Sequence, residues 1–426
     1  MQGSLVSDLG LSPEVWLFLS LLGCVTLFFK FSRVWSVRNL DLLLLFVLVP
    51  GMMLIVGDQT NHPWSAYLWL FAGSALWMLR SLLDLGLARR PMLEPNLNAP
   101  GLLCLSVGVL GLLLVETVSL PVGDGAARNP AEPSGRVHGG VADPAGEDNA
   151  TVQQVLQIAP LPPSLKRERP QVIVSRVLAV LAHLALVVGL LIIGWRHFER
   201  PITGIAMATC YLVIPYTRMA VVDSGQLLSA AFIVLALLWH LRPGVTGLLI
   251  GMAAGWLPAC LGLIPLWAAY HRGRGAIRFL IVAAGVISAS AALGASSAGL
   301  SRWARGLGAR SIAEVGLLPS FEPGQSGSFW VGIDSSYRLP VLIGYLAFVI
   351  AAAFCPARKS YAELIALTTA LLVASQFWYL DKGGTLVMLY LPVAILMMFR
   401  PTTAARKPLL GPARRLAGRS SVTPAS

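Results

Sequence analysis

Apolar residues along this chain gather into long runs of about 17 to 25 residues, each closed by Arg, Pro or Gly. A helix rises about 1.5 Å per residue, so runs of this length carry a chain across hydrocarbon with every backbone N–H and C=O bonded internally. The pattern predicts spans at 15–31, 41–57, 64–82, 101–120, 172–195, 202–217, 225–241, 277–296, 339–355, 361–380 and 384–399. A further apolar stretch, 244–270, contains Pro258 and Pro265. Proline removes a helical donor and crowds the turn before it, so two short helices in a bent hairpin are expected there.

Basic residues orient these spans. The short loops with Lys30, Arg33 and Arg38, with Arg80, Arg89 and Arg90, with Arg196 and Arg200, and with Arg358 and Lys359 read as cytoplasmic, as does the tail from Arg400 to Arg419. Arg242 precedes the 244–270 stretch, and Arg272, Arg274 and Arg278 follow it, so the hairpin must enter and return to the same side. The expected fold is all-α: a polytopic transmembrane helical bundle of about 12–13 spans, with one Pro-broken hairpin and an external lid loop. Its N-terminus lies outside and its C-terminus inside a membrane, with the bacterial cytoplasmic membrane as the expected location. Asp8 and Glu14 precede the first run without any Lys or Arg, the reverse of a signal peptide's basic start, so that run is expected to remain as a span.

Composition narrows the classes. Hydrophobic residues make up 56% and charged residues 12% of the 426 residues, with a mean hydropathy of +0.72, which excludes a large soluble core. The net charge of +12 sits in short clusters between apolar runs, which argues for membrane orientation and against a nucleic-acid partner. Cys24, Cys104, Cys210, Cys260 and Cys355 form no CxxC pair and have no His at ligand spacing, so neither a disulfide frame nor a metal site is expected.

Two polar segments divide the pattern. Residues 121–171, rich in Gly, Pro, Ala and acidic residues, read as a disordered external loop between an N-terminal four-span module, 1–120, and a C-terminal module, 172–400. Residues 401–426 form a basic tail. Residues 297–338, with Trp303, Phe321, Trp330 and Tyr337, have the aromatic content to pack as a lid.

The external ends collect the candidate chemistry. Asp58 and His62 follow the second span; Arg218, Asp223 and Gln226 lie between the sixth and seventh; Asp334 and Arg338 precede the tenth; Asp381 and Lys382 follow the eleventh. Carboxylates there can act as general bases, while Arg and Lys can bind a lipid phosphate. Polar helix ends are ordinarily just solvated, and Trp64 and Tyr67 suit an interfacial belt. Glu116, near the outer end of the fourth span, is an ionisable group at membrane depth and so also a candidate. His183 and His240 read as packed or interfacial groups, and Gly247, Gly251 and Gly255 at four-residue spacing read as a close helix contact.

Several features between Asp223 and Arg278 carry a resemblance: Gly225-Gln226 opening a span, the basic turn Arg242-Pro243, the small-residue helix Gly247 to Ala253, Pro258, and the basic close His271-Arg272-Gly273-Arg274. This stretch of roughly 55 residues resembles the central part of GT-C class polyprenyl-phosphate-dependent glycosyltransferases, family 87 in particular. It departs from that family at Leu257-Pro258, where a Lys-Pro step is common, and at Leu227-Leu228-Ser229, where an Asn is common. The resemblance implies sugar transfer from a polyprenyl-phosphate-sugar donor to an acceptor on the extracytoplasmic face, with no further cofactor. Asp58 or Asp223 would be the catalytic base, and Arg218, Arg338 or Lys382 would stabilise the leaving phosphate. Gln226 and Asp334 would complete the substrate site, with Trp330 and Tyr337 stacking on sugar rings. A transporter and a non-catalytic assembly scaffold remain alternatives. The partners expected are the lipid bilayer and the lipid-linked donor.

Overall fold

A computed structural model describes residues 13–32, 34–57, 64–86, 93–119, 170–296, 329–330, 333, 335–379 and 383–401. The described residues form a helical bundle. Its elements are α1 (Pro13–Phe28), α2 (Val37–Phe46), α3 (Val49–Gly57), α4 (Trp64–Gly86), α5 (Ala99–Ser119), α6 (Pro170–Arg196), α7 (Pro201–Val213) and α8 (Pro215–Met219). They continue with α9 (Ser224–Leu238), α10 (Pro243–Trp256), α11 (Leu263–His271), α12 (Gly273–Ser296), α13 (Arg338–Phe354), α14 (Tyr361–Trp378) and α15 (Val387–Phe399). Six segments are long and apolar enough to cross a membrane on their own: Val37–Ile55, Trp64–Gly86, Ala99–Val118, Ile173–Arg196, Gly273–Ala292 and Tyr361–Trp378. The remaining apolar helices are shorter, and the chain is an integral membrane protein.

The helices follow the sequence pattern closely, with two added breaks of identifiable cause. The expected second span divides at Val47 and Leu48 into α2 and α3, just before Pro50, whose missing N–H leaves the turn before it unbonded. The expected sixth span divides at Ile214, which takes an extended conformation (φ −66°, ψ 140°) because the ring of Pro215 disfavours a helical residue before it.

Side-chain contacts sort the loops into two ends. At one end Arg80 reaches Asp41, Arg400 reaches Asp84, Arg200 approaches Glu94, and Arg38 bonds the carbonyls of Phe28 and Glu94. His197, His240 and Tyr361 cluster at the same end, with ring centroids 4.2 to 5.3 Å apart. The basic loops of the sequence are thereby gathered together. The opposite end holds the N-terminal part of α1 beside Arg218, the C-terminus of α5 beside Arg176, and the turns 220–223 and 383–386.

The 243–271 stretch settles the parity of the bundle. It forms α10, a tight 3-10 turn Pro258–Gly262 and α11, and the Thr246 hydroxyl lies 2.8 Å from His271 Nε2. The stretch therefore returns to the end it left, as the charges on its flanks require. From that end α12 runs back alongside α10 in the same direction. A Cβ on Gly247 would stand 2.6 Å from Phe279 O, one on Gly251 3.1 Å from Ala283 Cα, and one on Gly255 2.7 Å from Ser290 Oγ. Lipid tails are as apolar as leucine, so helices in a bilayer associate through such close backbone approach rather than through hydrophobic burial.

Burial grades from rim to centre. Leu103, Val107, Leu112 and Val115 of α5 and Ile277, Leu280 and Ile281 of α12 are exposed apolar residues, as lipid-facing residues should be. All 13 residues of α15 are buried. α14 and α9 are enclosed almost as completely, and α15 packs against both of them and against α7. α4 of the N-terminal module packs on α14 and α5 packs on α7, so the two modules share one core.

Candidate functional site

A helix leaves its first N–H groups and last C=O groups without intrahelical partners, and in a membrane protein a buried helix end has little water to supply them. α9, α14 and α15 lie at the centre of the bundle, so their ends need side-chain partners. The sequence provides them, and several are residues singled out above as candidate chemistry.

Asp223 caps the start of α9. Its Oδ1 accepts from the Gln226 backbone N–H at 3.4 Å and its Oδ2 from Gln226 Nε2 at 2.9 Å. Gln226 then reaches across to the segment before α15: its Nε2 also donates to Thr385 O at 3.4 Å, and its Oε1 accepts from the Met388 N–H at 3.2 Å. Leu386, the N-cap residue of α15, has no polar side chain, and Gln376 Oε1 accepts its N–H at 3.1 Å. Two glutamines from different helices thus do for α15 what a serine or aspartate cap does locally.

The C-terminus of α14 is served by residues 329–330 and by α13. Trp330, 5% exposed, donates its indole N–H to Phe377 O at 3.0 Å. Arg338, 2% exposed, donates Nε–H to Trp378 O at 2.7 Å, and its guanidinium lies 5.9 Å from the centre of the Trp378 ring. A cation at a helix C-terminus is also favoured by the macrodipole. Phe329 stacks on Trp64 and Phe71, and Phe71 packs against Phe377, which ties residues 329–330 to α4 and α14.

Three predicted residues, Gln226, Trp330 and Arg338, therefore converge on the two helix ends that bracket the α14–α15 connection, and Asp223 holds Gln226. The others separate from them or cannot be placed. Arg218 forms an ion pair with Glu116 at 2.6 Å and lies 4.5 Å from the Trp16 ring, which links α8, α5 and α1. Tyr337 is 69% exposed beside Arg338. Asp58, His62, Asp334, Asp381 and Lys382 lie outside the described residues.

Gln376 was missed. Its signal was a lone amide inside the apolar run Thr369 to Trp378, where a polar side chain must find a partner. The other missed residues are Asp41 and Asp84, which join Arg80 and Arg400 in a buried chain of ion pairs. Arg80 Nε lies 2.5 Å from Asp41 Oδ1 and its Nη1 3.0 Å from Asp84 Oδ1, while Arg400 Nη2 lies 2.5 Å from Asp84 Oδ2. Two carboxylates balance two guanidinium groups there.

At the same end, capping serves α9 again. His197 Nε2 donates to Leu238 O at 2.9 Å, His240 Nδ1 to Leu237 O at 3.1 Å, and the Tyr361 hydroxyl to Leu237 O at 3.2 Å. His240 sits in the turn after α9, and burial, reinforced by the neighbouring His197, pushes its pKa down to about 4, so it is neutral at ordinary pH. His183 is held by Tyr211 at 2.7 Å and by Val221 O at 3.1 Å. Among the described residues no group of three or more His, Cys, Asp or Glu side chains could hold a metal ion.

No protein family, curated protein or solved structure matches this chain.

Proposed function

We propose that this chain is a membrane glycosyltransferase that takes its sugar from a polyprenyl-phosphate donor at the end of the bundle opposite the arginine-rich loops. The observation that carries the reading is Arg338. Its guanidinium is almost wholly buried, its Nε is used on a helix C-terminus, and among the described residues its Nη2 has no hydrogen-bond partner. A guanidinium binds phosphate through parallel N–H donors, and a free Nη2 is what such a contact requires. Asp223 supports the same reading, because it places at this end a carboxylate, the group that would take a proton from an acceptor hydroxyl. Tyr337, exposed beside Arg338, is the aromatic available to a sugar ring. By the positive-inside rule the arginine-rich end faces the cytoplasm, which puts this site on the extracytoplasmic side.

An assembly scaffold is the second reading. It is favoured by the use of Asp223, Gln226 and Trp330 as caps, since a residue committed to holding a helix end needs no catalytic explanation. Transport gains no comparable support, because the deep charges Asp41, Arg80, Asp84 and Arg400 are mutually paired.

The deciding experiment measures consumption of polyprenyl-phosphate-sugar donors in membranes holding equal amounts of parent, Asp58→Asn, Asp223→Asn and Arg338→Gln protein. Turnover in the parent that falls about 10²- to 10³-fold in Arg338→Gln, at unchanged thermal stability, supports the transferase with Arg338 on the leaving phosphate. Absence of turnover in the parent across donors moves the assignment to the scaffold.

A further inference from the structure

The arginine-rich end carries a second feature, which the capping pattern does not use. A groove of about 480 Å³ runs between α11 and α13. Pro265 and Ala269 of α11 and Ile350, Ala353 and Phe354 of α13 form its walls, and Arg272 stands at its mouth. α11 has only nine residues, about 13 Å of helix, so it leaves the flank of the longer α13 uncovered. Ile350 is 58% and Phe354 73% exposed, so this wall faces outward to where lipid lies.

The mouth is cationic. Among the described residues Arg272 has no carboxylate within ion-pair distance, and exposed Arg358 stands in the loop after α13. Lys359 is buried, with Nζ donating to Ala353 O at 2.8 Å and Pro356 O at 3.0 Å, which leaves one N–H of its three uncommitted by these bonds. Burial first, and the charge of Arg272 second, push the Lys359 ammonium below the ordinary lysine range, with the charge of Glu363 partly opposing them. The nearest acid to this lysine in the chain, Glu363, is engaged in the capping box of α14, where its Oε2 accepts the Ser360 N–H at 2.5 Å. The N-terminus of α12 begins at Gly273, directly after Arg272, and adds a helix dipole of the same sign.

We propose that this groove binds one anionic glycerophospholipid, with an acyl chain against Ala269, Ile350, Ala353 and Phe354 and the headgroup phosphate at Arg272 and Lys359. Apolar walls continuous with the bilayer and a cationic mouth at the interface are the two halves of such a ligand. A free inorganic anion would use the mouth and leave the walls idle, and a zwitterionic lipid would use the walls and cancel its own charge at the mouth. The assignment is independent of the transferase reading, which concerns the opposite end.

Native mass spectrometry of the purified full chain, titrated with phosphatidylglycerol or phosphatidylcholine of the same acyl length, tests it. One phosphatidylglycerol is expected to be retained in preference to phosphatidylcholine, and Arg272→Gln is expected to weaken that binding about fivefold, the value of one basic residue at an anionic surface. Ala269→Trp, which fills the groove and keeps both cations, should also remove the bound lipid; it provides the answer if Arg272→Gln does not fold. Equal retention of the two lipids, or full retention in both variants, would overturn the proposal. Thermal stabilisation of the parent by inorganic phosphate equal to that by phosphatidylglycerol would overturn it as well, since the mouth alone would then account for the effect.

Discussion

The two ends of the bundle solve one problem in different ways. Both must finish buried helices whose terminal N–H and C=O groups have little water to turn to. At the arginine-rich end the solution includes full charges in matched number: Asp41, Arg80, Asp84 and Arg400 form a continuous chain of contacts, and histidines whose pKa is lowered by burial serve the C-terminus of α9. At the opposite end the work falls largely to neutral donors and acceptors, Gln226, Gln376 and Trp330, with Asp223 capping its own helix. Charge enters there as well, since buried Arg338 and Arg176 donate to carbonyls at the C-termini of α14 and α5, and Arg218 pairs with Glu116. A matched charge network is rigid, and removing one member leaves another stranded. An amide cap is worth less and leaves nothing charged behind. The difference teaches where this molecule can tolerate change.

The largest effect is expected at Asp84. Replacing it with Ala takes from Arg400 its carboxylate partner, and an uncompensated buried charge costs about 3–5 kcal/mol. Unfolding of detergent-solubilised protein by increasing sodium dodecyl sulfate should detect it, and a change under about 1 kcal/mol would mean that charge matching does not hold this end together. The next effect is one of pH. The folded state keeps His240 near pKa 4 against an ordinary 6.5, so the unfolded chain takes up the proton first and stability falls as pH drops from about 6.5 to 4, by up to about 3 kcal/mol. His240→Gln should reduce that slope, to which other histidines whose pKa burial lowers also add; a parent with flat stability across this window would break the idea of a neutral-histidine cap. The smallest effect belongs to Gln376→Leu, expected to cost about 1–3 kcal/mol through the orphaned Leu386 N–H. It should show as faster amide exchange confined to 383–388, and unaltered exchange there would remove the distinction between the ends.

Much of the architecture was legible in the amino-acid pattern, because the length of an apolar run is set by the bilayer and every span must satisfy it locally. The return of 243–271 could be inferred from the sign of its flanks alone, and the Gly247, Gly251, Gly255 spacing meant close packing, as found against α12. The break at Ile214 carries its own signal in Pro215. The candidate site was legible only in part. Asp223, Gln226, Trp330 and Arg338 stood out as polar residues at one end, but nothing local says that Gln226 reaches Met388 or that Arg338 reaches the carbonyl of Trp378. Arg400 and Asp84 lie 316 positions apart, and their pairing follows from helix arrangement rather than from either neighbourhood. Arg218 resembled its neighbours in sequence and proved to belong to Glu116, because the short α8 turns it toward α5 and α1.

The burial of α15 bears on how the molecule is made. Its 13 residues span about 20 Å, less than the hydrocarbon thickness of about 30 Å, and it can be this short because protein rather than lipid surrounds it. It follows α14 in the chain, and α4, α6, α7 and α9 precede both. The helices that enclose them are all synthesised earlier. The ring formed by α4, α6, α7 and α9 must therefore stay open, with Gln226 not yet bonded to Met388, until residue 399 has been made, and those four helices close around a segment synthesised after them.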